Sequence, residues 1–311
     1  MRVLVTGGTG YLGRAVVRAF AAGGHDPIVF ARSATSSGIA ATLVDGDVRD
    51  RRTIEAAARG CDAICHMAAL VSIWRRRSQD FDDVNVGGLA NVLDAAAALG
   101  ITRLLYTSSF LALPPVGRDV PLEANDYQRT KVAADRLADR RVHEGSPLIR
   151  LYPGVIYGPG TLTEGNLVGR LIEDHLRGRL PGLIGPEHEW SYSFVDDVAA
   201  GHVAALERGA PAARYVLGGE NATQTHMFSI VEQLTGRRAP RRIPYALATA
   251  IGALEEWRVR AFGGLPLVTR GAVEIFRWSW TLDSRATVRE LRYATTPLAE
   301  GLARTLAERR G

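Results

Sequence analysis

The chain has 311 residues, 46% hydrophobic and 23% charged, enough for one large α/β domain with a second lobe. Net charge is +5, but the arginines fall in short clusters (75–77, 140–141, 237–238, 241–242) without a dense tract or a nucleic-acid motif, so a solvated surface and no nucleic-acid partner are expected. No apolar run reaches the ~20 residues of a membrane span, the first strand leaves no room for a leader, and Cys61 and Cys65 are too few for a disulfide framework or a zinc site; the expectation is a cytoplasmic protein without integral membrane association or a metal centre.

Residues 2–6 are short, apolar and β-branched, and read as a buried parallel strand. Gly7-Gly8-Thr9-Gly10-Tyr11-Leu12-Gly13 follows, then a helix over 14–22. Gly7 suits a tight turn, Gly10 a close backbone approach to a pyrophosphate, and Gly13 close packing of helix on strand. The turn and helix start, including Thr9, Tyr11 and Leu12, are therefore candidate dinucleotide contacts.

A second strand spans 27–31 and ends in Ala31-Arg32-Ser33. An acid usually stands there to bond the ribose 2′-hydroxyl of NAD. Arg32 and Ser33 suit a 2′-phosphate instead, so NADP(H) is preferred and NAD(H) is the alternative. A strand over 41–44 leads to Gly46-Asp47-Val48, where Asp47 can bond the adenine amino group. After a helix near 51–59, the strand 63–66 runs into Met67-Ala68-Ala69-Leu70, whose small residues let a cofactor ribose lie close. His66 lacks a metal-binding neighbour and reads as structural.

A helix over 80–99 holds Asn85, and a strand over 101–107 ends in Thr107-Ser108-Ser109. A hydroxyl at that edge of a parallel sheet faces ligand. Ser109 can donate to a substrate oxygen, whereas Ser108 supports the backbone. Then comes Tyr127-Gln128-Arg129-Thr130-Lys131. Lys131 is the single lysine among 38 Lys and Arg residues. Where arginine has replaced lysine everywhere else, the one retained ammonium implies a site that a guanidinium cannot serve. Tyrosine at i and lysine at i+4 share a helix face, and the ammonium is expected to lower the phenol from its usual ~10.

These blocks, with Tyr152-Pro153-Gly154-Val155-Ile156-Tyr157-Gly158-Pro159, resemble the extended short-chain dehydrogenase/reductase (NAD-dependent epimerase/dehydratase) family from residue 1 to about 235, and more weakly beyond. Runs at 151–162, 178–182, 195–198 and 220–222, with Trp278 and Trp280, are similar to its plant farnesol dehydrogenase and dihydroflavonol-reductase-like branch. The resemblance implies a Rossmann-type doubly wound parallel sheet over 1–158, with a returning segment near 190–218, and a smaller, mostly helical substrate lobe over 159–311.

It also implies a Ser109–Tyr127–Lys131 catalytic set. Thr107, Tyr152, Pro153 and Val155 join Ala68, Ala69, Leu70 and Asn85 as cofactor contacts, Val155 through its backbone. Asn85 in this family more often ties strands together. A homodimer through 80–99 and 126–143 is a further implication. Two departures stand out: the stretch from Ser109 to Tyr127 is short, and the acid ending the second strand is missing.

Sugar-nucleotide epimerases of the family carry an arginine for the nucleotide pyrophosphate shortly before Val195-Asp196-Asp197, and here Trp190 occupies that place. An indole cannot make the bidentate phosphate contact. The candidate pocket residues Val71, Trp74, Phe110, Leu111, Asn166, Leu167, Trp190 and Tyr192 are mostly apolar, which suits an isoprenoid, aliphatic or aromatic alcohol or carbonyl. The leading expectation is an NADP-preferring oxidoreductase. An epimerase or dehydratase with internal hydride return, and a non-catalytic NADP sensor, are the alternatives. Residues 243–262 read as an amphipathic helix that packs on the core, meets a second copy or touches a membrane.

Overall fold

The computed structural model describes residues 1–308. Strand β1 (Arg2–Thr6) enters the glycine turn and helix α1 (Tyr11–Ala22). Then follow β2 (Asp26–Ala31), β3 (Thr42–Asp45), α2 (Arg51–Ala58) and β4 (Ala63–His66). Asp50 caps α2 by accepting from the Arg52 amide. A long helix comprises α3 (Gln79–Phe81), one π-helical turn (Asp82–Gly87) and α4 (Gly88–Leu99), and Gly100 closes it at φ +67°. Next are β5 (Arg103–Thr107), a 3₁₀ turn (Phe110–Ala112), α5 (Asp126–His143) capped by Asn125, β6 (Ile149–Pro153) and β7 (Val155–Tyr157).

The second half supplies α6 (Leu167–Leu176), β8 (Leu183–Ile184), β9 (Glu189–Phe194), α7 (Val195–Arg208), β10 (Arg214–Leu217) and β11 (Glu220–Thr223). It ends with α8 (Gln224–Thr235), β12 (Arg242–Ile243), α9 (Tyr245–Phe262), α10 (Arg270–Ile275), α11 (Arg285–Leu291) and α12 (Leu298–Glu308). Several boundaries differ by a few residues from the sequence reading, and two of them have a local cause. Helix α1 begins at Tyr11, because Gly10 already serves as its N-cap. The strand expected from residue 101 begins at Arg103, after the left-handed Gly100 turn.

Seven strands form one parallel sheet in the order β10-β6-β5-β4-β1-β2-β3. Alternation sorts its side chains to two buried faces. Val3, Val5, Cys65, Leu105 and Leu151 pack towards α1 and α7, while Leu4, Ile28, Phe30, Ile64 and Tyr106 pack towards α4 and α5. β1 pairs with β2 on one side and β4 on the other, so the winding reverses beside β1. Such a switch point opens a crevice at the carboxyl ends of the strands. The fold is a Rossmann-type doubly wound sheet.

The smaller sheet β11-β9-β7 and the pair β12-β8 carry the second apolar core. The chain then returns to the large sheet: α7 packs beside α1, and β10 pairs with β6. The Arg103 guanidinium, on β5, donates to the carbonyls of Ala205, Leu206 and Gly209 and so closes the end of α7.

Candidate active site

The glycine turn stands at the carboxyl end of β1. Gly7 has φ +73°, and a Cβ there would lie 2.7 Å from the Ala68 backbone. A Cβ on Gly13 would lie 2.2 Å from the Gly7 carbonyl oxygen, so α1 rests directly on the turn. Gly10 differs: its Cβ would meet one atom, the Gly7 oxygen at 3.3 Å, and the residue is exposed. Among the described residues no side chain caps α1, and its first turn holds no acid. An uncapped helix N-terminus beside an open glycine fits a pyrophosphate. Thr9 offers its carbonyl to Arg14, whose other end donates to the Ser37 carbonyl and braces the turn against the loop after β2. Leu12 packs on the core beneath.

Arg32 and Ser33 are exposed at the end of β2. The nearby acid on β3, Asp45, accepts from the Thr35 amide at 2.9 Å and its hydroxyl at 2.6 Å, bonds that hold it below the usual carboxylate range. Asp47 is also engaged. Arg49 grips its carboxylate at 2.6–3.1 Å and pulls its pKa down, with a smaller push from Arg32. An adenine amino group would share that carboxylate with Arg49. Val48 is buried against Gly88 and shapes the floor. Ala68 donates its amide to the Thr6 hydroxyl, and Ala69 follows on the half-buried loop.

Ser109, Tyr127 and Lys131 come from two elements. Ser109 follows β5 in extended conformation, and its oxygen accepts from the Leu111 amide, capping the 3₁₀ turn. The Ser109 side chain pulls the Tyr127 phenol down, but burial dominates and pushes it up to about 12. Lys131 is buried, and its Nζ donates to the Thr107 carbonyl at 3.2 Å. Burial lowers its ammonium to about 8, against a smaller upward pull from Asp135. The expectation that Lys131 lowers Tyr127 is therefore corrected here. The shared helix face brings the stems together, but the ammonium turns to the carbonyl on β5, and Ser109 is the group that acts on the phenol.

Several expected contacts serve the scaffold instead. Asn85 accepts from the Leu70 amide at 2.7 Å and donates to the Leu70 carbonyl and the Thr130 hydroxyl, so it pins the loop after β4 to α5 and occupies Leu70's backbone groups. The Thr107 hydroxyl bonds His202, and its carbonyl is the part that meets Lys131. Tyr152 is turned away from the crevice: its hydroxyl donates to Asp135 at 2.6 Å, and Arg214 lies over its ring. The expectation that the Tyr152 side chain contacts the cofactor is corrected on that ground. Pro153 continues the strand beside it, buried. His66 is structural, bonded to Thr6, and burial depresses it to about 3, so it is neutral.

Sequence reasoning missed Gln128 and Asp135. Gln128 is fully buried, accepts from the Ala124 amide and donates to the Leu111 carbonyl, fixing the 3₁₀ turn beside Ser109. Asp135 gathers Ser108, Tyr152 and Arg214 beneath Lys131, and burial raises its pKa. Its position one turn after Lys131 was the available signal.

A narrow apolar cleft, about 10 Å³ and closed to anything larger than a water as it stands, is lined by Val155, Leu167, Val168, Leu171, Trp190, Tyr192, Met227 and Phe276, with Gln224. Its walls belong to a cluster that includes Phe110 and Leu111, with Tyr127 packed against it. Trp190 stacks on Phe276 at 4.9 Å and donates to the Trp278 carbonyl. Asn166 is corrected as a pocket residue. Its oxygen caps α6 at the Gly169 amide and its nitrogen donates to Thr161, which occupies the polar head. Val71 and Trp74 stand apart, on the loop after β4, where Arg260 covers the Trp74 ring.

The model of the "NAD dependent epimerase/dehydratase family" matches residues 3–218. The chain belongs to that family. As a member of this family of extended short-chain dehydrogenases/reductases, it is an NAD(P)-dependent enzyme. Sterol demethylase protein B of Methylococcus capsulatus is 34% identical over 278 residues, covering 84% of this chain and 83% of that protein. A 2-alkyl-3-oxoalkanoate reductase of Stenotrophomonas maltophilia is 30% identical over 88% of each chain. The crystal structure of gox2253 aligns with TM-score 0.82 and 28% identity over 99% of this chain and 97% of that one. UDP-glucose 4-epimerase of Thermotoga maritima aligns at TM-score 0.79 and 23% identity over 100% and 99%, a likeness of fold. In this epimerase/dehydratase member, no group of three or more His, Cys, Asp or Glu among the described residues could hold a metal ion.

Proposed function

We propose that the protein is an NADP-preferring oxidoreductase that interconverts an apolar alcohol and its ketone or aldehyde through Ser109, Tyr127 and Lys131. The observation that carries this reading is Tyr127, with Ser109 acting on its phenol, packed against an apolar cluster that continues into the cleft of Val155, Leu167, Trp190 and Tyr192. The nicotinamide, when bound, supplies or accepts the hydride. In the reductive direction the Tyr127 phenol donates its proton to the carbonyl oxygen as that oxygen gains negative charge. The Ser109 hydroxyl bonds the same oxygen and holds it in line. Ser109 is the group that eases the phenol towards phenolate, while Lys131, one turn along α5 and held by the Thr107 carbonyl, is left to bond the nicotinamide ribose. Oxidation runs the same proton path backwards.

Two further points support the reading. Curated relatives include a 2-alkyl-3-oxoalkanoate reductase of Stenotrophomonas maltophilia and a putative dihydroflavonol 4-reductase from Synechocystis. Preference for NADP rests on Arg32 at the end of β2 and on Asp45 being engaged by Thr35. The test is a spectrophotometric screen with NADPH and NADH against isoprenoid, aliphatic and aromatic carbonyls. Tyr127→Phe is expected to lower kcat by ~10²-fold or more with folding intact. Full activity in that variant would sink the mechanism. No net turnover, with dinucleotide retained through purification, would point instead to internal hydride return.

A further inference from the structure

The apolar cleft holds one side-chain amide. Gln224 is 3% exposed and lines the cleft beside Met227, Phe276 and Trp190. It is the first residue of α8, set there by Thr223, whose hydroxyl caps the helix at the His226 amide. The Gln224 Nε2 donates to the Ile184 carbonyl at 3.1 Å. That bond orients the amide, because two carbonyl oxygens repel, and so its own oxygen turns away. Among the described residues no hydrogen bond uses that oxygen. Support of Ile184 accounts for the nitrogen and leaves the oxygen unexplained, although a buried acceptor without a partner is destabilising. The other polar groups of the cleft are placed differently. Trp190 donates its N–H to the Trp278 carbonyl, and Tyr192 stands opposite Val155 in the β7–β9 register. Gln224 follows Thr223, which pairs with Glu189 at the far end of β9. Three residues of strand separate the Tyr192 and Glu189 levels, ~10 Å.

We infer that Gln224 is a specificity residue: its oxygen accepts a hydrogen bond from a hydroxyl that the substrate carries ~10 Å from the reacting carbonyl. Which end reacts rests on the hydride-transfer reading, which puts the carbonyl at the Tyr127 and Val155 end. The group at Gln224 must donate, since the free atom is an acceptor. It must also be neutral. No lining residue is charged, so an ammonium or a carboxylate would lose its water without gaining a counter-charge. The substrate class is therefore an elongated apolar ketone or aldehyde with a remote hydroxyl. Because the cleft as it stands admits nothing larger than a water, such a molecule displaces a wall. Met227 is the side chain suited to yield, unbranched and on the same face of α8 as Gln224. Leu167, 36% exposed, stands at the rim.

The probes are methyl ketones of rising chain length, each plain and with a terminal hydroxyl. Affinity is measured by calorimetry on NADPH-saturated Tyr127→Phe protein, which needs no turnover, and kcat/KM on the unaltered chain. At the length that reaches Gln224, the hydroxylated ketone should bind ~10-fold more tightly than the plain one. Adding Gln224→Met, which keeps the length and removes the acceptor, should erase that preference. A merely structural role for Gln224 would lower both affinities together and leave their ratio unchanged. Equal affinity for plain and hydroxylated ketones at every length, binding of neither, or a preference that survives Gln224→Met would overturn the inference. Equal turnover of both ketones would do the same while keeping the hydride-transfer reading. A hydroxyl preference in binding, with no turnover of any ketone, would keep the Gln224 contact and sink that reading instead.

Discussion

Lys131 occupies a site where an ammonium is costly to keep charged. Burial lowers it to about 8, and Asp135 is the charge that pulls the other way. As the chain's single lysine, it gives one resonance in a sample labelled with ¹³C at the lysine ε-carbon. That resonance should titrate with a midpoint of about 8, and Asp135→Asn should move it lower. A midpoint near the ordinary ~10.4 would contradict the burial seen here. The sign for stability follows: between the folded and unfolded values the unfolded chain binds the extra proton, so this group makes stability rise with pH from about 8 upward. Lys131→Arg keeps charge but adds a planar fork in a space sized for one nitrogen, and kcat/KM should fall ~10²-fold. The identity of Lys131 was legible in the sequence, but its partner was not. Helical spacing shows that Tyr127 and Lys131 share a face; it does not show that the Thr107 carbonyl, on another element, is where the flexible stem ends. Asp135 and Tyr152 escaped for the same reason, since their bond crosses 17 residues and two elements.

The β1–turn–α1 unit separates two uses of glycine. Gly13→Ala would drive a Cβ to 2.2 Å from the Gly7 oxygen, and no flexible side chain is there to yield. Gly10→Ala meets the same oxygen at 3.3 Å, at φ −71°, which any residue adopts. Gly13→Ala should therefore cost ~1–3 kcal/mol or more of stability in denaturant unfolding. Gly10→Ala should stay within ~1 kcal/mol while weakening dinucleotide affinity, measured by calorimetry. Equal loss of stability in both would refute the division of labour. The strands at 2–6 and 63–66 were legible because buried parallel strands are short apolar runs, the first of them running straight into the glycine turn. The helix over 80–99 was legible as one element, but its wide turn at Asp82–Gly87 was not. Nothing in DDVNVG announces a π-helical turn. It becomes intelligible from Asn85, whose side chain reaches both Leu70 and Thr130 from that turn.

At the scale of the molecule, the chain ties its lobes together by returning to the large sheet. Phe194 belongs to the second core and Val195, its neighbour, to the first. The smaller sheet therefore runs without a linker into α7, which Arg103 fastens to β5. This coupling can be read from probes that sit far from the glycine turn. Trp190 and Trp280 are 4% and 2% exposed and both lie in the second core, whereas the turn that fits a pyrophosphate belongs to the first. Were the lobes independent, dinucleotide would stabilise the large sheet and leave the tryptophan transition where it was. Because β9 and α7 are contiguous, far-ultraviolet circular dichroism and tryptophan fluorescence should report one coincident unfolding transition. NADPH at ~100-fold its Kd should raise both equally, by about 2.7 kcal/mol. A fluorescence midpoint that stays fixed while the dichroism midpoint moves would show that the second lobe melts alone. The cleft of Val155, Trp190 and Tyr192 would then open without disturbing the turn, and substrate and dinucleotide would bind without thermodynamic coupling.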